Sequence, residues 1–139
     1  DVVEPCARAL AEKLPPETEV LVTAEAKSIP LIYEMAKVMK MPRYVIARKS
    51  VKGYMRNPII TTVNSITNMG KEQILVVDEH DAEFIKISTG SSIEAIEKLV
   101  KESGGEVIAR AAVLAEGDAA DRTDIIYLEK IPLFFHNKK

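Results

Sequence analysis

The residues Ile87-Ser88-Thr89-Gly90-Ser91-Ser92 run directly into an apolar stripe made by Ile93, Ile96, Leu99 and Val100. That spacing predicts a helix over Ser92 to Ser103, because positions three and four apart share one helix face. Gly104 and Gly105 close it, one of them in the left-handed C-cap conformation. The hydroxyl-rich run therefore sits at a helix N-terminus, where backbone N–H groups lack intrahelical partners and the dipole is positive. Gly90 lets the backbone take positive φ and approach a ligand closely. Ser88, Thr89, Ser91 and Ser92 add four hydroxyls. Together these groups make a cup for a phosphate monoester or a similar dianion. A plain N-cap, worth about 1 kcal/mol, needs one hydroxyl rather than four. No Gly-Lys-Ser/Thr ending follows, which disfavours a P-loop nucleotidase, and no G-x-G-x-x-G dinucleotide fingerprint is present.

Upstream, Val2, Val3, Cys6, Ala9, Leu10 and Leu14 keep helical spacing until Pro15-Pro16 stops the helix. Val20 to Thr23 is a short β-branched run that predicts a buried strand. Ala24 to Ser28 is a polar loop, and Pro30 suits the first turn of a second helix reaching Lys40. Tyr44 to Ala47 predicts a second strand. This helix–strand–helix–strand opening implies a parallel sheet with helices on its faces. Arg48 to Asn57 breaks into a basic loop. Ile59 to Asn64 and Gln73 to Asp78 predict an antiparallel hairpin around Asn68-Met69-Gly70. Val107 to Leu114 and Ile125 to Leu128 predict two further strands. The expected fold class is α/β: a Rossmann-like, doubly wound, mostly parallel sheet in one domain over residues 1–139.

The composition agrees with a globular chain: 139 residues, 47% hydrophobic and 29% charged. No apolar run approaches the roughly 20 residues of a membrane span. The single cysteine, Cys6, cannot form an internal disulfide, and no Cys/His cluster has zinc spacing. With nothing resembling a secretory signal, a reduced, cytoplasmic protein is expected. Charge is unevenly spread. The net charge is -2, yet no acidic residue lies between Glu34 and Glu72. Lys37, Lys40, Arg43, Arg48, Lys49, Lys52, Arg56 and Lys71 all fall there, leaving 11 basic residues against all 21 acidic ones elsewhere. Such a segment points to a local anionic partner: phosphate, nucleic acid or anionic lipid. A solvated basic face without a ligand is the plainer alternative.

The run Ile87 to Ser92, with its helix and the Ser103-Gly104-Gly105-Glu106-Val107 step, resembles the ribose-phosphate loop of type I phosphoribosyltransferases. Glu25-Ala26-Lys27-Ser28 resembles that family's pyrophosphate loop. Ala47-Arg48-Lys49-Ser50, with Lys52, Gly53 and Tyr54, resembles the start of its mobile catalytic loop in the purine branch. The hairpin and Leu128 to Phe134 fit the same branch, so the resemblance spans most of the chain.

The resemblance implies transfer of a phosphoribosyl group from 5-phosphoribosyl 1-pyrophosphate (PRPP) to a purine base, adenine or a related one. The products would be a nucleoside monophosphate and pyrophosphate. An oxocarbenium-like transition state makes the protein's task positional and electrostatic. Ser88, Thr89, Gly90, Ser91 and Ser92 would hold the ribose 5-phosphate. Glu25, Ala26 and Lys27 would meet the pyrophosphate. Arg48, Lys49, Lys52 and Tyr54 would close over it as a catalytic lid hinged near Gly53. Mg²⁺ would arrive mainly through PRPP, with no protein metal site. A homodimer is expected, with no membrane and no nucleic acid as partner. The alternative on the same fold is a non-catalytic regulator that senses PRPP.

One departure from the family is plain. There, an apolar strand ending in two acidic residues feeds the phosphate loop, whereas here Ala82-Glu83-Phe84-Ile85-Lys86 precedes Ile87. Ile74-Leu75-Val76-Val77-Asp78-Glu79 is the nearest acidic-ended run, but it fits the hairpin. Either the acidic pair is absent from this relative, or residues are missing from the sequence between Lys86 and Ile87. The second is preferred, since a parallel sheet otherwise loses the strand that feeds its ligand loop. The opening at Asp1 rather than methionine likewise implies a shortened N-terminal hood over the base. Cys6 reads as inert core. His80 and His136 lack partner sets, and Asp118, Asp121, Arg122 and Asp124 read as a solvated loop. Glu116 and Leu133 to Phe135 carry weaker cases as crevice-facing and packing residues.

Overall fold

A computed structural model of the chain describes residues 2–64, 72–83, 85, 93–116 and 120–131. The hydroxyl run at 88–92, the turn at 68–70, the Lys86–Ile87 junction, Asp118 and residues 133–136 lie outside the described residues. The element order is α1 (Val3–Ala11), β1 (Val22–Ala24), α2 (Ile29–Val38), β2 (Val45–Ala47), β3 (Ile59–Asn64), β4 (Glu72–Val77), α3 (Glu79–Ala82), α4 (Ile93–Glu102), β5 (Ala111–Glu116) and β6 (Ile126–Ile131).

β1 pairs with β2 in parallel, Val22 opposite Val45 and Ala24 opposite Ala47. β5 pairs with β6 in parallel, Ala111 opposite Ile126. β3 and β4 form the expected antiparallel hairpin, Ile59 opposite Val77. The hairpin is joined to β2 by one bridge: Arg48 and Val76 exchange both backbone hydrogen bonds, each 2.8 Å.

β1 is buried on both faces, as a strand between two helical layers must be. On one face Val20, Val22, Val45, Ala47, Leu75 and Val77 pack with Ile96, Leu99 and Val100 of α4. On the other, Leu21 and Ala109 pack with Ala7 and Leu10 of α1 and with Ile32, Met35 and Ala36 of α2. The alternation Val20-Leu21-Val22 thus divides the run leading into β1 between two cores.

Element ends differ from the sequence reading for local reasons. α1 ends at Ala11 rather than Leu14, because the residues before Pro15 tighten into turns, with Lys13 N–H on Leu10 O and Leu14 N–H on Ala11 O. β1 begins at Val22 rather than Val20, since its partner β2 is only three residues long. β5 begins at Ala111, not Val107, though Arg110 O already accepts from Ile126 N–H. β6 starts one residue late and runs on to Ile131. The short α3 was not anticipated; Asp78 caps it by accepting from His80 N–H at 2.9 Å. Cys6 is a correction: it is only partly buried and lines a cavity, so it is not inert core.

α4 ends as expected, with Gly104 at φ +83°. Gly105 has a different reason to be glycine: a Cβ there would collide with the main-chain carbonyl of Ile85. Gly105→Ala is therefore expected to lower stability by about 1–3 kcal/mol. Gly104→Ala should cost about 1 kcal/mol, from backbone conformation alone. Urea melts of the two variants check this; an unchanged melt in Gly105→Ala would mean that the Ile85 carbonyl gives way to the added Cβ.

Candidate functional site

The site grows from the two loops that leave the C-terminal ends of β1 and β2, where open α/β sheets gather ligands. After β1, Glu25 to Ser28 form a turn with a cis Glu25–Ala26 peptide. Glu25 N–H donates to Ala47 O at 2.9 Å, which fixes the turn against the end of β2. Thr23 Oγ1 donates to Ser28 Oγ at 2.9 Å. Ser28 thereby holds the turn shut rather than capping α2 with its side chain. Ala26 and Lys27 are exposed. Lys27 makes no ion pair with a described residue, so its ammonium faces solvent.

After β2 comes the basic loop. The Glu25 carboxylate reaches across to it, accepting from Lys49 N–H at 3.1 Å and from Arg48 Nη1 at 3.3 Å. Both side chains of the Arg48–Glu25 pair are partly shielded, at 31% and 25% exposure. Lys52 Nζ donates to Ser50 Oγ at 2.7 Å, and Met55 N–H closes a turn on Lys52 O. Tyr54 is 68% exposed at the outer bend of the loop. The far end is anchored too: Arg56 N–H donates to the Asp78 carboxylate at 3.0 Å and Asn57 Nδ2 to Glu79 at 2.9 Å. That Asp78 and Glu79 anchor Arg56 and Asn57 was not read from sequence. Their pairings span 22 residues, so no local signal reveals them.

The structure thus brings Glu25, Ala26 and Lys27 beside Arg48 and Lys49. Lys52 and Tyr54 lie farther along the same loop. The Glu25 carboxylate is engaged with the basic loop, so an anion entering the turn would meet backbone N–H groups and cations rather than that carboxylate. Ser88, Thr89, Gly90, Ser91 and Ser92 lie outside the described residues. Asp121, Arg122 and Asp124 form an exposed cluster, with Arg122 holding the Asp124 carboxyl down to about 2. Among the described residues no three His, Cys, Asp or Glu side chains converge to hold a metal ion. Nor is any described helix long and apolar enough to cross a membrane.

The Glu25 carboxyl is held below its ordinary range, first by the Lys49 N–H and then by the charges of Lys52 and Arg48. A lowered folded value means that the tie is complete above the ordinary carboxylate range and is lost as pH falls through the lowered one. Amide exchange should show Lys49 protected near neutral pH and unprotected once Glu25 is protonated. Glu25→Gln keeps an acceptor but no charge, so its Lys49 protection should no longer depend on acid pH. Unaltered acid dependence in that variant would remove Glu25 as the cause.

The fold is that of the type I phosphoribosyltransferases. The chain is similar to the adenine phosphoribosyltransferase of Thermoanaerobacter pseudethanolicus, with 16% identity and a TM-score of 0.71 over 93% of this chain and 80% of that one. It is equally similar to the adenine phosphoribosyltransferase of Rhodothermus marinus, at 16% identity and 0.72 over 94% and 80%. A purine phosphoribosyltransferase from Pyrococcus horikoshii matches at 13% and 0.60 over 95% and 86%. No family model matches the chain, and no curated protein does.

Proposed function

We propose that the chain transfers the phosphoribosyl group of PRPP to a purine base, releasing a nucleoside monophosphate and pyrophosphate. The observation that carries this reading is the junction of Glu25 with Arg48 and Lys49. It joins the turn after β1 to the basic loop after β2, and so gathers cations where a diphosphate would leave. The adenine and purine phosphoribosyltransferases that share the fold support the choice of substrates.

In this reading the residues divide the work by charge. Ser88 to Ser92 and the N-terminus of α4 fix the 5-phosphate and with it the ribose. Backbone N–H groups at Ala26 and Lys27, with the Lys27 ammonium, receive the pyrophosphate. The Arg48 guanidinium grips phosphate oxygens in pairs, and Lys49 and Lys52 add charge as the anomeric bond lengthens. Tyr54, on the outer bend, covers the diphosphate from solvent. Mg²⁺ would come with the diphosphate oxygens and supply charge neutralisation there; the described residues do not build a protein site for it. A homodimer and a cytoplasmic location complete the proposal.

The test is a panel of adenine, hypoxanthine, guanine and xanthine with PRPP and Mg²⁺. One base turned over with stoichiometric pyrophosphate supports the enzyme. Tight PRPP binding without turnover of any base assigns the chain to the PRPP-sensing alternative. Absence of PRPP binding removes both.

A further inference from the structure

The loop over residues 49–55 carries Lys49, Lys52 and Tyr54. Among the described residues, the hydrogen bonds of its middle part stay inside the loop. Lys52 Nζ donates to Ser50 Oγ, Lys52 N–H to Met55 Sδ at 3.4 Å and Met55 N–H to Lys52 O at 3.0 Å. Such bonds shape a loop without fixing it to the body of the protein, so its placement depends on its ends. At the entering end, the main chain of Arg48 exchanges two hydrogen bonds with Val76. At the leaving end, Arg56 N–H donates to Asp78 Oδ2 at 3.0 Å, and Arg56 O accepts from Glu79 N–H at 3.3 Å. Val76 and Asp78 are two residues apart, about 7 Å along an extended chain. The loop therefore leaves and rejoins one short stretch of chain, the closure of an Ω-loop.

The leaving end turns on a single carboxylate. Asp78 is extended, with φ -65° and ψ 147°, between β4 and α3. Its Oδ1 accepts from His80 N–H at 2.9 Å and caps α3, while its Oδ2 holds Arg56. The negative charge strengthens both bonds, and neither can be shortened by rotation without straining the other. The bend that follows is secured as well: Asn57, at φ +44°, donates from Nδ2 to Glu79 Oε2 at 2.9 Å. The entering end has a side-chain tie of a different kind. Glu25 holds the Arg48 guanidinium and Lys49 N–H, donors that an arriving diphosphate would take for itself. Once they are taken, the side-chain ties left between this loop and the rest of the described residues are those of Asp78 and Glu79.

We infer that Asp78 is a positioning residue for phosphoribosyl transfer: it fixes the point where the basic loop rejoins the fold, and so sets where Lys49 and Lys52 stand when the diphosphate arrives. It touches no substrate itself. The role rests on the proposed function, since the diphosphate is what these cations await.

Limited digestion with trypsin, its first cuts read by mass spectrometry, tests this with pyrophosphate and Mg²⁺ as the probe. Pyrophosphate should slow cutting after Lys49 and Lys52 in the unaltered protein. Losing a hydrogen bond to a charged acceptor should make Asp78→Ala open and be cut there about tenfold faster, and bind pyrophosphate about tenfold more weakly, well below its melting temperature. Asp78→Asn separates the two bonds. Asparagine is a good helix cap, but its one oxygen cannot serve both partners. This variant should melt close to the unaltered protein yet be cut as fast as Asp78→Ala. Should Asp78→Ala not fold, Asp78→Asn decides by the same comparison. Equal cutting in the variants and the unaltered protein, with pyrophosphate protection intact, overturns the positioning role and leaves the proposed function standing. Asp78→Asn that matches the unaltered protein in both cutting and pyrophosphate affinity reduces Asp78 to a helix cap and overturns the role too. Pyrophosphate that slows no cut in the unaltered protein sinks the proposed function, and the positioning role with it.

Discussion

Arg48→Ala is expected to lower kcat/KM for phosphoribosyl transfer by about 10²- to 10³-fold, the usual loss when one preorganised group facing developing negative charge is removed. The fold should survive, because Arg48 is tied to the hairpin through its main chain and not its side chain. Its side-chain pair with Glu25 is partly exposed, and losing such a pair costs about 0–1 kcal/mol. Arg48→Lys should recover only part of the rate, since an ammonium restores charge without the paired donors. Steady-state kinetics with PRPP varied, beside a thermal melt, separates the cases. A normal rate in Arg48→Ala would remove this side chain from the chemistry, and a lost melt transition would make its role structural.

Leu99→Ala should destabilise the chain by about 2–5 kcal/mol. Leu99 is 0% exposed and sits among Ile96, Val100, Leu75 and Val77, in the core that α4 shares with β1, β2 and the hairpin. Removing three heavy atoms there leaves a hole bounded by both α4 and the hairpin, so neither side can close it alone. Chemical denaturation at fixed pH measures the change. A cost below about 1 kcal/mol would mean that α4 can resettle on the sheet, and that the observed packing is not tight.

Much of this architecture is written in the chain at short range. The apolar stripe of α4, Pro30 in the first turn of α2, the β-branched runs and the paired glycines each act within a few residues, and each produced its element. The two-sided burial of Val20-Leu21-Val22 follows from a continuous apolar run. Strand lengths were less legible. β1 and β2 are short because each ends where the other does, a matter of pairing rather than propensity. The site shows the same division. Basic residues without acidic neighbours marked the loop after β2, whereas the hydroxyl run expected to make an anion cup lies outside the described residues. The carboxylate that ties two loops together, Glu25, was read as a ligand-facing residue. Its grip on Lys49 and Arg48 depends on contacts 23 and 24 residues away, which spacing cannot express. Asp78 and Glu79 as anchors of the same loop were hidden for the same reason.

The double hydrogen bond between Arg48 and Val76 makes one residue belong to two assemblies: its main chain completes a rung on β4 while its guanidinium faces the turn after β1. Partial unfolding that peels the hairpin away would carry the guanidinium off with it, leaving the paired core of β1 and β2 intact. Heat inactivation would then precede the global melt, and a protease cutting within residues 49–55 would silence catalysis in molecules that still scatter and sediment as folded protein.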